Sequence, residues 1–587
     1  QWPGAVTLRP RDELIEVEKE LQAISGCTVL IYDQTCAAEK RRRRKRGEYP
    51  DPDKRVIINE LVCEGCGDCG LKSNCVSIQP RETEFGRKRA IDQSSCNKDY
   101  SCVDGFCPSF VTVHGAKPRK AQRATAAAPS SPEPAKRELT DRPYSIIVTG
   151  VGGTGVVTIG ALLGMAAHLE GKGCTILDMT GLAQKGGAVY SHVRIAREPG
   201  EIHAVRIAAG NARLLLGCDL VVSASVDALS KLEPGHSRAI VNSHEIITGD
   251  FTRNPDLVFP AGALEHSIAE AAGPENTEFV DATRLATGLL GDSIASNLFM
   301  LGYAYQRGLV PLSSEAIERA IGLNGVAVEF NLGAFRWGRR AAVDPALVEA
   351  RATPRTAIAP SHRLSETLDQ VIDRRVAFLT DYQDRAYARR YADRVGRVRA
   401  AEAAVVPGAA ALTAAVARSL FKLMAYKDEY EVARLYTESD FLKRVADRFE
   451  GPYELRFHLA PPIFGDRDPR TGHLRKREFG PWMLSVFRLL AKLRRLRGTS
   501  FDIFARSPER RTERRLIGEY EGVIDEILGC LTPANHPIAV ELASLPLEIR
   551  GFGHIKDANL ARAKAKEAAL RSRLRAPAAT PALAAAE

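Results

Sequence analysis

No run of about eighteen apolar residues occurs in this chain, so nothing in it reads as a membrane-crossing helix. Nothing near Gln1 resembles a signal peptide, and the absence of an initial Met leads us to expect a chain cut from something longer. Cysteine is not spread as it would be in a secreted protein stapled by disulfides. Of 12 cysteines, 7 fall between Cys63 and Cys107. One tight cluster in a long chain points to metal and a reducing, cytoplasmic compartment. Zinc-finger histidines and an aromatic RNA-binding motif are also missing. The net charge of +10 therefore comes without a nucleic-acid recognition fold. Part of it sits in "KRRRRKR", Lys40 to Arg46, read as a solvated face, a flexible loop or a contact for an anionic protein.

What is present is an ordinary globular composition, 45% hydrophobic and 26% charged over 587 residues, enough for several domains. Thr28–Tyr32 reads as a last buried strand at the end of a first region, 1–53. A cysteine module follows over 54–115. Residues 116–142, rich in Ala, Pro and Lys/Arg, read as a flexible linker. From Pro143 short apolar strands alternate with helices. "SIIVTG", "CTILD", "LVVSA" (Leu220–Ala224) and "AIVN" (Ala239–Asn242) are the expected strands of a mostly parallel, doubly wound α/β domain over 143–340. A loose stretch over 341–365 leads to a mainly helical domain over 366–572. There Leu412, Val416, Leu420 and Met424 share one apolar face. A disordered tail is expected over 573–587. The class is thus α/β and α+β multidomain.

Cys63, Cys66 and Cys69 form C-x2-C-x2-C, which lets one loop set three thiolates at three corners of an iron–sulfur cube. Cys107-Pro108 matches the distant fourth ligand of bacterial ferredoxins. Gly65, Gly67 and Gly70 let the backbone curl closely around such a group. By the crossing rule of two-cluster ferredoxins, Cys75 joins Cys96 and Cys102 at a second site. The count is one thiolate short of two [4Fe–4S] clusters, so a non-cysteine ligand or a three-iron form stays open there. Zinc and free thiols are the competing readings. A third cysteine two residues beyond a C-x2-C pair has no natural role at structural zinc.

"GVGGTG" supplies Gly150, Gly152, Gly153 and Gly155 between a strand and a helix, with Asp178 at the end of the next strand. This satisfies a dinucleotide fingerprint. A turn needed only for strand–helix packing, or a phosphate or pantetheine ligand at the helix N-terminus, fits as well. "GLAQKGGAVYSHVRIA" is a second glycine turn, whose Gln184, Lys185, Gly186 and Gly187 could line the same crevice.

Taken with "GLVPLSSEAIERAIGLNGVAVEFNLGAFRWGR" and "YKDEYEVARLYT", these motifs resemble the C-terminal half of the long single-chain indolepyruvate ferredoxin oxidoreductases. The resemblance extends to about residue 570. It implies oxidative decarboxylation of an aryl 2-oxo acid to acyl-CoA, with thiamine diphosphate, Mg2+ and coenzyme A, and with electrons leaving one at a time to ferredoxin. It makes 1–53 the remnant of a thiamine-diphosphate domain, 54–115 a ferredoxin-like [4Fe–4S] module and 143–340 the gamma domain. The residues that bind thiamine in that family would then lie upstream of Gln1. Activity is expected only with an upstream half or subunit, in a complete enzyme that is a homo-oligomer. An NAD-linked iron–sulfur reductase using the glycine loop is the alternative, and a nucleic-acid-binding protein using Lys40 to Arg46 a third reading.

Overall fold

The computed structural model describes residues 6–119, 128–135, 137–181, 187–353, 363–461, 467, 469 and 472–575. It divides into two units, Gln1–Asp51 and Pro52–Glu587. In the first, Leu14–Gln22 and Ala37–Arg46 are helices. The basic run lies in the second of these, where Arg42 and Arg43 reach Glu39 one turn away at 3.4 and 3.2 Å. Thr28–Tyr32 is not a strand, and Val29 is 76% exposed. An apolar run forms a strand only where another strand takes up its backbone hydrogen bonds, and among the described residues of this unit none does.

In the second unit, β1 (Lys54–Ile58) pairs antiparallel with β2 (Phe110–His114). Between them lie a short helix, Asp68–Ser73, and a hairpin of Ile78–Arg81 with Lys88–Ile91. Residues 116–142 are expected to be a flexible linker, yet described parts of them are tied down. The Glu133 carboxylate accepts hydrogen bonds from Tyr305 at 2.5 Å, Arg339 at 2.6 Å and Ser314 at 3.1 Å.

The α/β region begins with β3 (Tyr144–Val151), a glycine turn and α1 (Val156–Leu169), then β4 (Gly173–Thr180), β5 (Ala188–Ala196), β6 (Leu214–Gly217), β7 (Arg238–Asn242) and β8 (Thr277–Val280). The sheet order is β8-β7-β6-β3-β5-β4. The first four run parallel, and β5 is antiparallel to both neighbours. One expected strand is corrected. Leu220–Ser223 is a helix, and the strand lies just upstream at β6. The Asp219 carboxylate accepts the Val222 N–H at 2.8 Å and so starts a helix that apolar content alone does not distinguish from a strand. Of the stretch 341–365 expected to be loose, 341–353 is ordered in helices, and 354–362 lie outside the described residues. Asp344 caps a helix, Pro345–Ala352, that begins on proline and buries Val348 and Ala352 in the same core.

Helices fill most of 368–575. α2 (Ala411–Met424) buries Leu412, Val416, Leu420 and Met424 as expected, and α3 (Glu429–Thr437) follows it. Two strands here are unexpected. β9 (Glu454–Leu459) pairs with β2, and β10 (Arg477–Phe479) pairs with β9, giving a four-stranded sheet β1-β2-β9-β10. The helical region therefore completes the sheet of the cysteine module. Among the described residues no helix is long and apolar enough to cross a membrane.

One buried acid stands out within the helices. Glu402 accepts the Leu412 and Thr413 N–H groups, each at 2.8 Å, and His536 Nε2 at 2.8 Å. Burial opposes its charge, but Thr413 and His536 outweigh it and hold its pKa below the ordinary 4.5. Its contribution is then complete above that value and is lost as pH falls through the depressed pKa. Glu402→Ala should cost about 3 kcal/mol at neutral pH, since two buried N–H groups lose their acceptor. Denaturant midpoints measured from pH 7 to pH 3 should converge for the two proteins at the acid end.

Candidate metal centre

The cysteine loop leaves β1 at Asn59, whose carbonyl accepts the Cys63 N–H at 2.9 Å. Gly65 and Gly67 take φ of +69° and +85°, the left-handed region that other residues resist. A Cβ on Gly65 would lie 2.3 Å from the Arg87 carbonyl, and one on Gly105 2.8 Å from the Cys69 Cα. The Asp68 carboxylate accepts the Phe106 N–H at 2.6 Å and so ties the two cysteine-bearing loops together.

Cys63, Cys66, Cys69 and Cys107 consequently line one small cavity, with Ile58, Phe110 and Arg89 among its walls. Burial and the neighbouring thiols Cys107 and Cys63 push the Cys66 thiol up to about 12. Burial likewise raises Cys69 and Cys107. Four thiols packed in an apolar cavity resist ionising together unless cationic metal holds them, and thiolate is the form that ligates metal. The Sγ of Cys63 accepts the Gly65 N–H at 3.3 Å, and Cys107 Sγ lies 2.9 Å from Ser109 Oγ. This donor set and glycine cradle fit an iron–sulfur cube. Among the described residues, no group of three or more His, Cys, Asp or Glu side chains is disposed to hold a single metal ion. A cube spreads its four cysteines over separate irons.

Cys75, Cys96 and Cys102 form the second set. Burial raises the Cys102 thiol, and Cys96 and Cys75 add to it. Asp99, which the sequence reading did not single out, also acts on Cys96 and Cys102. Asn74, Lys98 and Tyr100, beside these cysteines, all have positive φ (46°, 55° and 67°). Non-glycine residues held so concentrate at functional sites.

The glycine loop reads differently in three dimensions. A Cβ on Gly150 would meet Val156 Cγ2 at 2.6 Å and Cys218 Cβ at 2.9 Å, whereas one on Gly152 would find its nearest atom, the Gly187 carbonyl oxygen, at 3.2 Å. That carbonyl also accepts the Gly152 N–H at 2.7 Å. Gly153 and Gly155 have φ of +87° and +102°. Of the two, Gly150 is the tighter fit. Gly150→Ala should therefore destabilise by about 1–3 kcal/mol, and more than Gly152→Ala, as thermal unfolding of the two variants would measure. The dinucleotide reading loses its carboxylate. Antiparallel β5 stands between β3 and the strand of Asp178, and Asp178 is exposed. Gln184, Lys185 and Gly186 lie outside the described residues.

The sequence also gave no role to "YKDEYEVARLYT". Asp428 and Arg497 form a buried pair with contacts of 2.6 and 2.9 Å. Lys427 pairs with Glu64 and donates to the Cys63 carbonyl at 3.3 Å, and Lys422 reaches Glu64 at 3.2 Å. Burial disfavours the Glu64 charge, yet Lys427 and Lys422 hold its pKa well below the ordinary range.

Residues 145–341 match the pyruvate ferredoxin/flavodoxin oxidoreductase family, and residues 368–569 match a family of unknown function. An indolepyruvate oxidoreductase subunit IorB of Methanothermobacter thermautotrophicus is 30% identical over 203 residues, 34% of this chain and 98% of the relative. A subunit of the same name from Archaeoglobus fulgidus is 26% identical over 205 residues, covering 34% of this chain and 95% of the relative. Among solved structures, the gamma subunit of a keto/oxoacid ferredoxin oxidoreductase from Geobacter sulfurreducens is 24% identical. It covers 34% of this chain and 98% of its own, with a TM-score of 0.25.

Proposed function

This chain belongs to the 2-oxo acid ferredoxin oxidoreductase superfamily, and we propose that it is the electron-relay and gamma-domain component of an indolepyruvate-type enzyme. The reaction is oxidative decarboxylation of an aryl 2-oxo acid to an acyl-CoA, with ferredoxin as acceptor, in a reducing cytoplasm. The observation that carries the relay role is the convergence of Cys63, Cys66, Cys69 and Cys107 on one cavity, in the same unit as the family-matched region. The aryl substrate is supported by the names of the relatives, which are indolepyruvate oxidoreductase subunits.

Iron–sulfur clusters supply one-electron transfer when bound. In this reading Cys63, Cys66, Cys69 and Cys107 hold one [4Fe–4S] cluster. Cys75, Cys96 and Cys102 hold a second, with Asp99 beside them offering the fourth position. Gly65, Gly67 and Gly105 let the cysteine loops close tightly on their neighbours around the cavity, while Ile58 and Phe110 would exclude water. Thiamine diphosphate, Mg2+ and the decarboxylation chemistry belong to a partner subunit, and coenzyme A is the co-substrate. Gly150, Gly152, Gly153, Gly155, Lys185, Gly186 and Gly187 are assigned to the coenzyme A side of the gamma domain.

The test is reconstitution. With a thiamine-diphosphate subunit, Mg2+, coenzyme A and indolepyruvate, the chain should reduce ferredoxin, and the Cys66→Ser variant should reduce it at least tenfold more slowly. Equal rates with and without the Cys66 thiol would remove the relay role. Appreciable turnover by this chain without the partner would remove the assignment of the thiamine site.

A further inference from the structure

The region over 368–569 meets the cysteine module at several separate points. β9 pairs with β2 from Glu454 opposite His114 to Phe457 opposite Val111. The Tyr436 hydroxyl donates to the Pro108 carbonyl at 2.6 Å, next to Cys107. Asn59 Nδ2 donates to the Leu435 carbonyl at 3.1 Å, and Arg448 donates to the Ile91 carbonyl at 3.0 Å. Lys427 holds the Cys63 carbonyl.

Lys476 goes further than these. It precedes β10, and its ammonium donates to the carbonyls of Val103 at 2.6 Å and Gly105 at 2.7 Å. Those two residues lie on the short segment that joins Cys102 of the second set to Cys107 of the first. The ammonium also stands 4.9 Å from the centre of the Phe110 ring, which walls the first cavity. Burial disfavours its charge, and Cys107, Asp104, Cys69 and Cys102 act in the opposite sense, so it feels thiols of both sets. Two carbonyls could be satisfied by a neutral donor. A buried ammonium costs more than that and is compensated by negative charge nearby.

We propose that the region over 368–569 serves as a jacket for the cysteine module, and that Lys476 is a positioning residue that places one positive charge between the two cysteine sets and eases their reduction. This rests on the reading that both sets hold iron–sulfur clusters. Reduction adds negative charge to a cluster, and a fixed cation beside it stabilises the reduced form more than the oxidised one. Charge and hydrogen bonding around the sulfurs are among the protein's means of setting a cluster's potential.

The test uses the full chain, reconstituted anaerobically with iron and sulfide and titrated with dithionite while the reduced clusters are followed by electron paramagnetic resonance. Lys476→Gln keeps a hydrogen-bond donor and removes the charge, and Lys476→Arg keeps the charge. The expected result is a shift of both cluster signals to lower potential in Lys476→Gln, with wild-type iron content and melting temperature, and wild-type potentials in Lys476→Arg. Unchanged potentials in Lys476→Gln, or an equal shift in Lys476→Arg, would leave Lys476 as a structural donor only and overturn the proposal. Should Lys476→Gln lose its iron, retention of iron at wild-type potential by Lys476→Arg supports the role of charge, and loss of iron by both overturns it. A wild-type chain that takes up no iron and sulfide defeats the cluster reading itself, and that outcome is read from the wild-type sample alone.

Discussion

Anaerobically purified chain should contain at least about four iron atoms and four acid-labile sulfides, and Cys66→Ser should remove most of the signal of the first cluster. The expectation follows from the cavity. Cys63, Cys66 and Cys69 come from one loop and Cys107 from a second, and the four sulfurs share a single space walled in part by Ile58 and Phe110. Zinc would instead draw four ligands onto one point. Serine at position 66 would present a harder oxygen, a poorer ligand for iron than thiolate. It would keep nearly the same volume, so a fall in iron would report ligation and not a collapsed loop. Metal analysis, sulfide analysis and absorption near ~400 nm, where iron–sulfur proteins absorb, measure all of this on one sample. Stoichiometric zinc without labile sulfide would end the iron–sulfur reading.

Asp428→Ala should have the largest effect on stability of any single change in the helical region, about 3–5 kcal/mol. Asp428 and Arg497 are each buried, and the guanidinium spans both carboxylate oxygens at 2.6 and 2.9 Å. Removing the carboxylate leaves the Arg497 charge without its partner in the interior. It also removes the cap of α3, since Asp428 Oδ1 accepts the Glu431 N–H at 2.8 Å. The damage should spread to the cysteine module, because α3 carries Tyr436, which holds Pro108, and Lys427 adjoins Asp428. A lower denaturant midpoint together with faster iron loss would bear this out. A change below about 1 kcal/mol, the scale of an exposed ion pair, would contradict the coupling of the pair to the module.

Some of this protein was fixed by short stretches of sequence. The C-x2-C-x2-C run and Cys107-Pro108 set ligand spacing within two local loops, and the structure brings those four sulfurs to one cavity. The grouping of Cys75 with Cys96 and Cys102 is what the crossing of two such runs leads one to expect, and in the fold Cys75 and Cys96 both act on Cys102. β3, the glycine turn and α1 were readable from an apolar run, glycines and a second apolar run in succession. Other features needed the folded chain. Leu220–Ser223 and Thr28–Tyr32 are apolar enough for strands, but Asp219 caps the first as a helix and among the described residues no strand pairs with the second. Position along the chain could not reveal that β9 completes the cysteine sheet, where Thr112 and His458 meet 346 residues apart. Nor could it mark Lys476 among 82 lysines and arginines as the one that holds the segment between the two cysteine sets. Local spacing and capping act over a few bonds and are written in neighbouring residues. Strand partners and buried charge pairs are chosen by which surfaces meet when the core closes, and that choice belongs to the tertiary structure.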